Sequence, residues 1–276
     1  MQFSTLLSVY VKENPLHLKA CLDSIVNQSR QPDEIIIVCD GSLTDELYQV
    51  LNEFKARYAN LVAIHTIEKN VGLGSALNFG LSKCRYSIVA RMDTDDICHP
   101  ERFEKQLEYL KEHKDIRLVG SFIKEFSGSI DNVVALKSLP TTNADLKHFA
   151  KFRNPLNHMT VMFYKEDVLR VGSYQPLFYL EDYYLWVRMI HAGIKMANIP
   201  EALVFARVDN GMIERRSNKR YIHSWFILNQ YMEKNKMITK KIFFRNMLSV
   251  TAFVFSPLWF KRLVYRYILR RGKGES

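Results

Sequence analysis

The stretch ARMDTDDI, residues 90–97, begins at the last residue of the apolar segment Tyr86–Ala90. It places three carboxylates, those of Asp93, Asp95 and Asp96, within four residues at the end of a predicted buried strand. Carboxylates this close repel one another unless a positive charge lies among them, and a divalent cation is the usual partner. The stretch therefore predicts a metal site where a strand leaves a sheet.

Strand-like and helix-like segments alternate through the first half of the chain. The predicted strands are Leu6–Val11, Glu34–Cys39, Leu61–Ile67 and Tyr86–Met92. Segments with helical spacing follow them, at residues 15–26, Asp45–Tyr58, Leu73–Lys83 and Glu101–His113. This alternation predicts an α/β fold with a mostly parallel central sheet flanked by helices. Ligands of such sheets bind beyond the carboxyl ends of the strands, where Asp40 and Asp93 both lie.

The second half is less regular. Ile116–Phe126, His158–Tyr164 and Ala202–Val208 read as strands. Leu180–His191 reads as a helix that Gly193 closes. Aromatic and basic helical segments follow to the end, which predicts a C-terminal helical extension.

Composition bounds the class of protein. The 276 residues are 47% hydrophobic and 25% charged, as in ordinary globular proteins. The four cysteines, Cys21, Cys39, Cys84 and Cys98, form no CxxC pair, which favours a reducing compartment over a disulfide scaffold and gives no zinc signature. The first residues lack the basic and apolar regions of a secretory signal, so we expect a cytoplasmic protein.

The positive charge is concentrated at the C-terminal end. Residues 215–276 contain 15 Lys and Arg against two Asp and Glu, a balance of +13 within a total of +10, so the preceding residues carry −3. Such a tail is expected to meet an anionic surface, either nucleic acid or membrane. Its longest uncharged stretch, Asn246–Phe260, has 15 residues and contains Pro257, whereas a membrane span needs about 20 apolar residues. The tail therefore favours a helix lying on a membrane, and packing against the rest of the protein is the alternative.

An Asp-x-Asp pair alone is more often a solvated turn than a metal site. Here it follows a strand and precedes His99–Glu101, which opens a helix, and this position favours metal binding. Mg²⁺ or Mn²⁺ would take one or two carboxylates and fill its other positions with phosphate oxygens and water. A zinc site at Cys98 and His99 is the alternative, although no further ligands lie nearby in the sequence.

Five stretches together resemble family 2 glycosyltransferases of the GT-A type, and most closely the bacterial enzymes of amylovoran-type exopolysaccharide, capsule and O-antigen synthesis. They are SVYVKENPLHLKACLDSIVNQSRQPDEIIIVCDG, NVGLGSALNFGL, ARMDTDDICHPERFEKQ, NPLNHMTVMF and LEDYYLWVRMI. The resemblance implies a GT-A fold, in which residues 1–125 bind the nucleotide sugar, residues 126–213 bind the acceptor, and residues 214–276 form the basic amphipathic extension.

The resemblance also implies roles on the donor side. Asp40 matches the position that accepts a hydrogen bond from uracil, with Glu13, Asn70 and Gly72–Gly74 near the same nucleotide. A strand-ending turn at Asp40 and a plain helix entry at Gly72 are the structural alternatives. Many relatives carry Pro-x-Tyr-Asn where this chain has Tyr10–Pro15, which leaves the contacts of Glu13 open.

The acidic motif of residues 93–96 matches the metal motif of the same family. Asp93 would face the ribose or the metal, and Asp95 would bind the metal. Asp96 would support them or cap a helix. Arg91 would either touch the nucleotide or balance these carboxylates.

On the acceptor side, Asp182 matches the family's general base, and Glu181 the neighbour that orients it or the acceptor. Inversion needs one carboxylate within hydrogen-bond reach of the attacking hydroxyl. The alternative is that both are ordinary acidic residues in a helix's first turn. Asn157 and His158 could line the acceptor site or serve the structure.

Basic residues late in the chain have a further predicted role. Arg207, Arg215 and Arg216 could close over the diphosphate, or could form a solvated basic face.

These features predict a metal-dependent inverting glycosyltransferase. Its donor would be a UDP-sugar and its acceptor a saccharide on a polyprenyl diphosphate, at the inner face of a bacterial plasma membrane and with no nucleic acid partner. A nucleotidyltransferase is the alternative enzyme, although Ser8–Pro15 offers no Gly-rich phosphate loop. A nucleic-acid-binding protein that uses the basic tail is the non-enzyme alternative.

Overall fold

The computed structural model describes residues 1–208, 218–257 and 259–261. In this part of the chain nine strands share one sheet: β1 Phe3–Val9, β2 Glu34–Asp40, β3 Val62–Ile67, β4 Ile88–Arg91, β5 Ile97–Cys98, β6 Ile116–Phe126, β7 Val133–Lys137, β8 Met162–Tyr164 and β9 Lys195–Arg207. The α-helices are α1 Pro15–Val26, α2 Asp45–Arg57, α3 Leu73–Lys83, α4 Arg102–Glu112, α5 Asn143–Phe149, α6 Lys165–Arg170, α7 Glu181–His191, α8 Lys219–Lys234 and α9 Lys240–Phe255.

The strands run in the order β3-β2-β1-β4-β8-β6-β9-β5, with β7 paired to β6. The first four strands of this order are parallel to one another. Along the chain, a helix joins β1 to β2, β2 to β3 and β3 to β4, and each helix returns the chain to the same end of the sheet. Strand β8 is antiparallel to both β4 and β6 and joins this parallel half to the rest. The predicted α/β architecture is confirmed, with a parallel N-terminal half inside a mixed sheet.

Apolar residues cover both faces of the central strands. Every residue of β2 is buried, since helices lie on both sides of it. One core cluster packs α1, α2 and α4 on one face, and a second packs α3, α7 and the C-terminal helices on the other. Helix α1 begins as its sequence predicts, because Asn14 Oδ1 accepts a hydrogen bond from the Leu16 amide (2.8 Å) and Pro15 occupies the first turn.

Several element boundaries predicted from the sequence are wrong. Strand β1 covers Phe3–Val9 rather than Leu6–Val11, so Tyr10 and Val11 belong to the loop that follows it. The predicted strand Ala202–Val208 is the second part of the 13-residue β9. The predicted strand His158–Tyr164 is a 3₁₀ turn, His158–Thr160, followed by β8.

The C-terminal helices pack on the body of the protein. Leu228 and Met232 of α8 and Val250 and Val254 of α9 are buried in the second core cluster. The packing expected as the alternative for this region therefore occurs over α8 and α9. Across the described ranges, every helix falls short of the length and apolar character that a bilayer crossing needs. Residues 262–276 of the basic tail lie outside the described residues.

Candidate active site

A cavity of about 690 Å³ lies at the carboxyl ends of the parallel strands. Asp93 lines it from the loop after β4, and Glu181 and Asp182 line it from the first turn of α7. The two acidic groups that stand about 90 residues apart in the sequence therefore share one cavity.

Asp93, which lines the cavity, forms an ion pair with the buried Arg91. Arg91 is 1% exposed, and its Nε and Nη1 atoms have no hydrogen-bond partner among the described residues. Burial disfavours the charged guanidinium, but Asp93 outweighs that effect and the pKa of Arg91 is raised. Arg91 does not line the cavity, so this geometry favours the expectation that it balances the carboxylates over a direct nucleotide contact.

Strand β9 fastens the rest of the motif through the carboxylate of Asp96 and the backbone carbonyl of Asp95. The Arg207 amide donates to Asp96 Oδ1 (2.8 Å), and Arg207 Nε donates to the Asp95 carbonyl (3.2 Å). Asp96 is buried, and burial followed by the charges of Asp95 and Asp93 raises the pKa of its carboxyl well above the usual range. Asp96 thus supports the loop, while Asp93 and Asp95 are the two less buried carboxylates.

The donor set fits a hard divalent cation. Among residues 1–208, 218–257 and 259–261, no three His, Cys, Asp or Glu side chains gather in a way that would hold a metal by themselves. Mg²⁺ and Mn²⁺ bind through one or two carboxylates and complete their shell with substrate oxygens and water, so the Asp93 and Asp95 pair suffices. The zinc alternative at Cys98 and His99 lacks the ligands it needs; instead, Arg102 Nη1 lies 3.3 Å from Cys98 Sγ.

Asp40 holds the loop that leads into α3. Its carboxylate accepts hydrogen bonds from Asn70 Nδ2 (3.0 Å), the Val71 amide (2.7 Å) and the Gly72 amide (3.0 Å), and the residue is 3% exposed. The next residue, Gly41, has φ +85°, and a Cβ there would lie 2.9 Å from the Asn70 amide nitrogen. Asp40 and Asn70 therefore act as one unit that shapes the loop.

Glu13 lies in the turn after β1, where its amide donates to the Tyr10 carbonyl (3.1 Å). The side chain is half-buried at the same end of the sheet as Asp40. Direct contacts of Glu13, Asp40 and Asn70 with a nucleotide remain predictions.

Asn154 is tied to Asp182. Asn154 Nδ2 donates to Asp182 Oδ2 (2.6 Å), and Asn154 Oδ1 accepts from the Leu156 amide (3.3 Å). The backbone contact fixes which end of the amide faces Asp182. The amide N–H donates to Asp182 Oδ2, so Asn154 fixes the orientation of the Asp182 carboxyl group.

Glu181 lies beside the entry to α3. A Cβ placed on Gly74 would lie 3.4 Å from Glu181 Cγ, so the donor-side loop and α7 are in close contact. Burial raises the pKa of the Glu181 carboxyl to about 7, in the range where an acid or base works at neutral pH.

Asn157 and His158 are more deeply embedded than the two acids. Asn157 is 2% exposed and donates from Nδ2 to the Ser121 carbonyl (2.9 Å). His158 Nε2 lies 2.9 Å from the Tyr174 hydroxyl, and burial holds the pKa of His158 well below its usual range. His158 is therefore a neutral residue of the cavity wall. Asn157 lines the same cavity, and whether the two residues contact an acceptor stays a prediction.

Arg207 lines the cavity through β9, where its guanidinium also donates to the Gly128 carbonyl (3.0 Å). Arg215 and Arg216, the other arginines expected near the diphosphate, lie outside the described residues.

Several polar residues of the site were not predicted from the sequence, among them Asn154, Trp225 and Arg245. Asn154 opens the NPLNH stretch, in which only Asn157 and His158 were singled out. Trp225 and Arg245 line the cavity from α8 and α9, a region that we expected to serve only as a tail. The aromatic content of these helices was a signal, but it indicated packing or membrane contact equally well.

The pattern of glycosyl transferase family 2 matches residues 6–177. The amylovoran biosynthesis glycosyltransferase AmsE of Erwinia amylovora is 45% identical over 224 residues, which is 80% of this chain and 82% of that protein. The UDP-Gal:alpha-D-GlcNAc-diphosphoundecaprenol beta-1,3-galactosyltransferase of Escherichia coli is 34% identical over 270 residues, 98% of this chain and 97% of that protein.

The fold also matches solved structures. The crystal structure of S. aureus TarS 1-349 in complex with UDP-GlcNAc aligns with a TM-score of 0.68 at 16% identity, over 96% of this chain and 75% of that chain. At this identity the match shows the GT-A fold alone. The family pattern covers more than half of the chain, and both relatives align along most of their length, so this protein belongs to glycosyl transferase family 2.

Proposed function

We propose that this glycosyltransferase is a metal-dependent, inverting enzyme that moves a sugar from a UDP-sugar to a saccharide carried on a lipid diphosphate. The observation that carries the proposal is the shared cavity, with Asp93 on the donor side and Asp182 on the acceptor side. One displacement needs both sites, since the leaving diphosphate and the attacking hydroxyl stand on opposite faces of the transferred sugar.

Asp93 and Asp95 would hold Mn²⁺ or Mg²⁺. When bound, the cation neutralises the charge that develops on the leaving diphosphate, so that no general acid is required. Arg91 keeps Asp93 in place through their ion pair, and Arg207 keeps the Asp95 backbone in place through β9. The chain thus fixes the positions of both ligands before any substrate arrives.

Asp182 would act as the general base. Asn154 orients the carboxylate, and Asp182 takes the proton from the acceptor hydroxyl as that oxygen attacks the anomeric carbon. Attack from the side opposite the diphosphate inverts the configuration of this carbon. Glu181, held between α7 and Gly74, would position the sugar between the two sites.

The loop held by Asp40 would form the nucleotide end of the donor site, together with Glu13. The GT-A neighbour with bound UDP-GlcNAc supports a UDP-sugar as the donor class. The relative that acts on a diphosphoundecaprenol-linked sugar aligns with 98% of this chain and supports a lipid-linked acceptor. Membership in the glycosyltransferase family weighs against the nucleotidyltransferase alternative.

We further propose that the enzyme works at the inner face of the bacterial membrane. Helix α9 bears exposed Phe244, Leu248 and Phe255, and Trp259 follows it; these side chains are 66–72% exposed. Lys240 and Lys241 begin the same helix. Exposed apolar side chains next to cations suit the interface of an anionic bilayer.

The first experiment is a donor panel. Purified enzyme with Mn²⁺ is offered UDP-, GDP- and dTDP-sugars, and slow hydrolysis of each is measured without acceptor. We expect hydrolysis of UDP-sugars that EDTA abolishes. Hydrolysis that is equal in EDTA, or that is confined to GDP- or dTDP-sugars, would contradict the metal or the donor assignment respectively.

A further inference from the structure

The cavity extends beyond the two acidic sites to the C-terminal helices. Its far wall contains Tyr221 and Trp225 from α8, and Arg245, Asn246 and Phe253 from α9. Neither donor binding nor proton transfer, as described above, requires this wall. It therefore belongs to whatever part of the acceptor lies beyond the attacking hydroxyl.

A four-residue segment, Lys151–Asn154, connects the wall to the base. At one end, Asn246 Nδ2 donates to the Lys151 carbonyl (2.8 Å), and the Arg245 guanidinium lies 4.0 Å from the Phe152 ring centre. At the other end, Asn154 donates to Asp182. Three peptide steps span at most about 11 Å, so the cationic wall and Asp182 lie close enough for one acceptor molecule to touch both.

Arg245 has the features of a phosphate anchor. Its guanidinium stacks on Phe152, which holds the plane in position, and the residue is exposed on the cavity side of α9. Within the described residues Arg245 enters none of the ion pairs, and its one side-chain hydrogen bond goes to Asn246 Oδ1 (3.3 Å). A planar guanidinium with unneutralised charge suits the paired oxygens of a phosphate or diphosphate.

Arg153 and Trp225, which line the same cavity, add to the phosphate-binding character of this wall. Arg153, in the connecting segment, lines the same cavity and contributes a second guanidinium. The Trp225 indole N–H is buried, and no acceptor for it occurs in the described part of the chain, so it offers a further donor at the wall. The wall therefore combines two cations and a neutral donor, a set that favours an anionic ligand.

The opposite face of α9 carries the exposed apolar residues Phe244, Leu248 and Phe255. Residues 240–261 include four Lys or Arg and no Asp or Glu. One helix thus presents a cation to the cavity and apolar side chains to the outside. An acceptor with a sugar, a diphosphate and a hydrocarbon chain would match this arrangement, with the sugar in the cavity, the diphosphate at the cation and the chain along the apolar side chains.

We infer that the Arg245 face of α9, together with Arg153 and Trp225, is the binding subsite for the phosphate groups that join the acceptor's sugar to its lipid. The inference rests on the proposed lipid-linked acceptor and deepens it. The sugar then reaches Asp182 along the Lys151–Asn154 segment, and the hydrocarbon chain leaves toward the exposed side of α9.

The test uses geranyl diphosphate as a probe, because it carries the diphosphate and a short prenyl chain and stays soluble. Its binding is measured by calorimetry on the full chain in saturating UDP and Mn²⁺, so that the donor site is already filled. Arg245→Gln should weaken this binding about tenfold. Lys241→Gln, which removes an exposed cation of the same helix that does not line the cavity, should leave it unchanged.

Two further measurements complete the test. Geraniol, which lacks the diphosphate, should bind wild type and Arg245→Gln with the same low affinity. Thermal unfolding should be the same for both proteins, because Arg245 is exposed. Equal affinity of both proteins for geranyl diphosphate, or an equal loss for Lys241→Gln, would overturn the subsite.

The proposed function is checked separately in the same proteins. Metal-dependent UDP-sugar hydrolysis is measured in wild type and in Lys241→Gln, where it should be the same because Lys241 does not line the cavity. If wild type hydrolyses UDP-sugars in a metal-dependent way but Arg245→Gln binds geranyl diphosphate as tightly as wild type does, the subsite alone is contradicted. If wild type shows no metal-dependent hydrolysis of UDP-sugars, the proposed function itself is contradicted.

Discussion

At the scale of single residues, the two acidic sites are held by different kinds of donor. Asp93 pairs with a buried guanidinium, whereas Asp182 accepts from a side-chain amide. A guanidinium cannot give up its proton in a protein, so it maintains a fixed charge beside Asp93. An amide orients Asp182 without adding charge, which suits the general-base role that we propose for it.

Asp182→Asn separates these two sites. The amide keeps the shape of the side chain but takes no proton, so sugar transfer should fall by roughly 10²- to 10⁴-fold while UDP-sugar affinity changes little. Asp95→Ala should instead weaken metal-dependent UDP binding and transfer together. Single-turnover transfer and UDP-sugar affinity are measured on each variant; near wild-type transfer by Asp182→Asn would move the base to another residue, with Glu181 tested next.

Asn154→Asp tests whether Asn154 positions the base. It places a second carboxylate in hydrogen-bond reach of Asp182, and two carboxylates that share a site do not ionise together. The acid limb of the pH–rate profile for transfer should therefore move up by about one pH unit or more. Asn154→Ala, the matched control, removes the donor without adding a charge, so it should lower the rate and move the profile upward by less than Asn154→Asp does. A profile for Asn154→Asp that overlays wild type would mean that Asn154 has only a structural role.

Glu181→Gln tests the raised pKa of Glu181 through stability. An unfolded Glu ionises near pH 4.3, whereas this carboxyl ionises at about 7 when folded, so between these values the folded state binds more protons than the unfolded state. The Glu181 contribution therefore reduces the free energy of unfolding as pH rises through this window. Urea unfolding of wild type and variant at pH 5 and pH 8 should show the variant gaining relative stability at pH 8. Equal differences at both pH values would contradict the raised pKa.

The residue types of the site were easier to predict than their contacts. The position of Asp93–Asp96 after an apolar strand indicated clustered carboxylates, and the structure brings them together. Asp40 was expected to face a base; the structure adds that it accepts three hydrogen bonds from the loop that leads into α3. Asn154 went unnoticed because its partner lies 28 residues away, and no local pattern indicates such a pair.

At the scale of secondary-structure elements, long periodic segments were predictable and short ones were not. Helices α1 to α4 and strand β2 follow strong apolar patterns, and their type was predicted correctly. Strand β7 has five residues, and α5 and α6 have seven and six, which is too few for a period to stand out. Strand β9 contains Pro200 and Glu201, so only its second part was recognised.

Helix α9 has two faces, and its outer face is open to a direct test. Leu248→Ser and Phe255→Ser together remove exposed apolar area from the side of α9 that we propose to contact the membrane, so co-sedimentation with anionic vesicles should fall severalfold. The fold should be retained, because the two side chains are 72% and 66% exposed. Leu169→Ser, which removes an exposed leucine of α6, serves as the control and should leave vesicle binding unchanged. Equal vesicle binding by all three proteins would exclude this face of α9 as the membrane contact.

At the scale of the whole molecule, charge and apolar surface are concentrated at the same end of the chain. The last 62 residues carry a balance of +13, and α9 with its exposed apolar side chains lies among them. The chain therefore couples a cavity on one side of the C-terminal helices to an amphipathic surface on the other.

This distribution predicts a two-part salt dependence of vesicle binding. Raising ionic strength from about 0.1 M to 1 M shortens the screening length from roughly 10 Å to 3 Å, so the electrostatic part should be lost. Binding through apolar side chains should persist, so a fraction of the protein should remain bound to the vesicles at high salt. Complete release of the protein from vesicles at high salt would mean that the tail binds by charge alone. Vesicle binding that salt does not change would exclude a contribution from the basic residues.

The fastening of the acidic loop by β9 also constrains how the enzyme is made. Asp96 accepts from an amide 111 residues further along, and β5 pairs with β9 in the described structure. At ribosomal rates of about 5–20 residues per second, that partner emerges on the order of ten seconds after the aspartates. A nascent chain therefore carries its acidic cluster unfastened while the 111 residues up to Arg207 are made, and this side of the cavity takes its final form only after β9 has emerged.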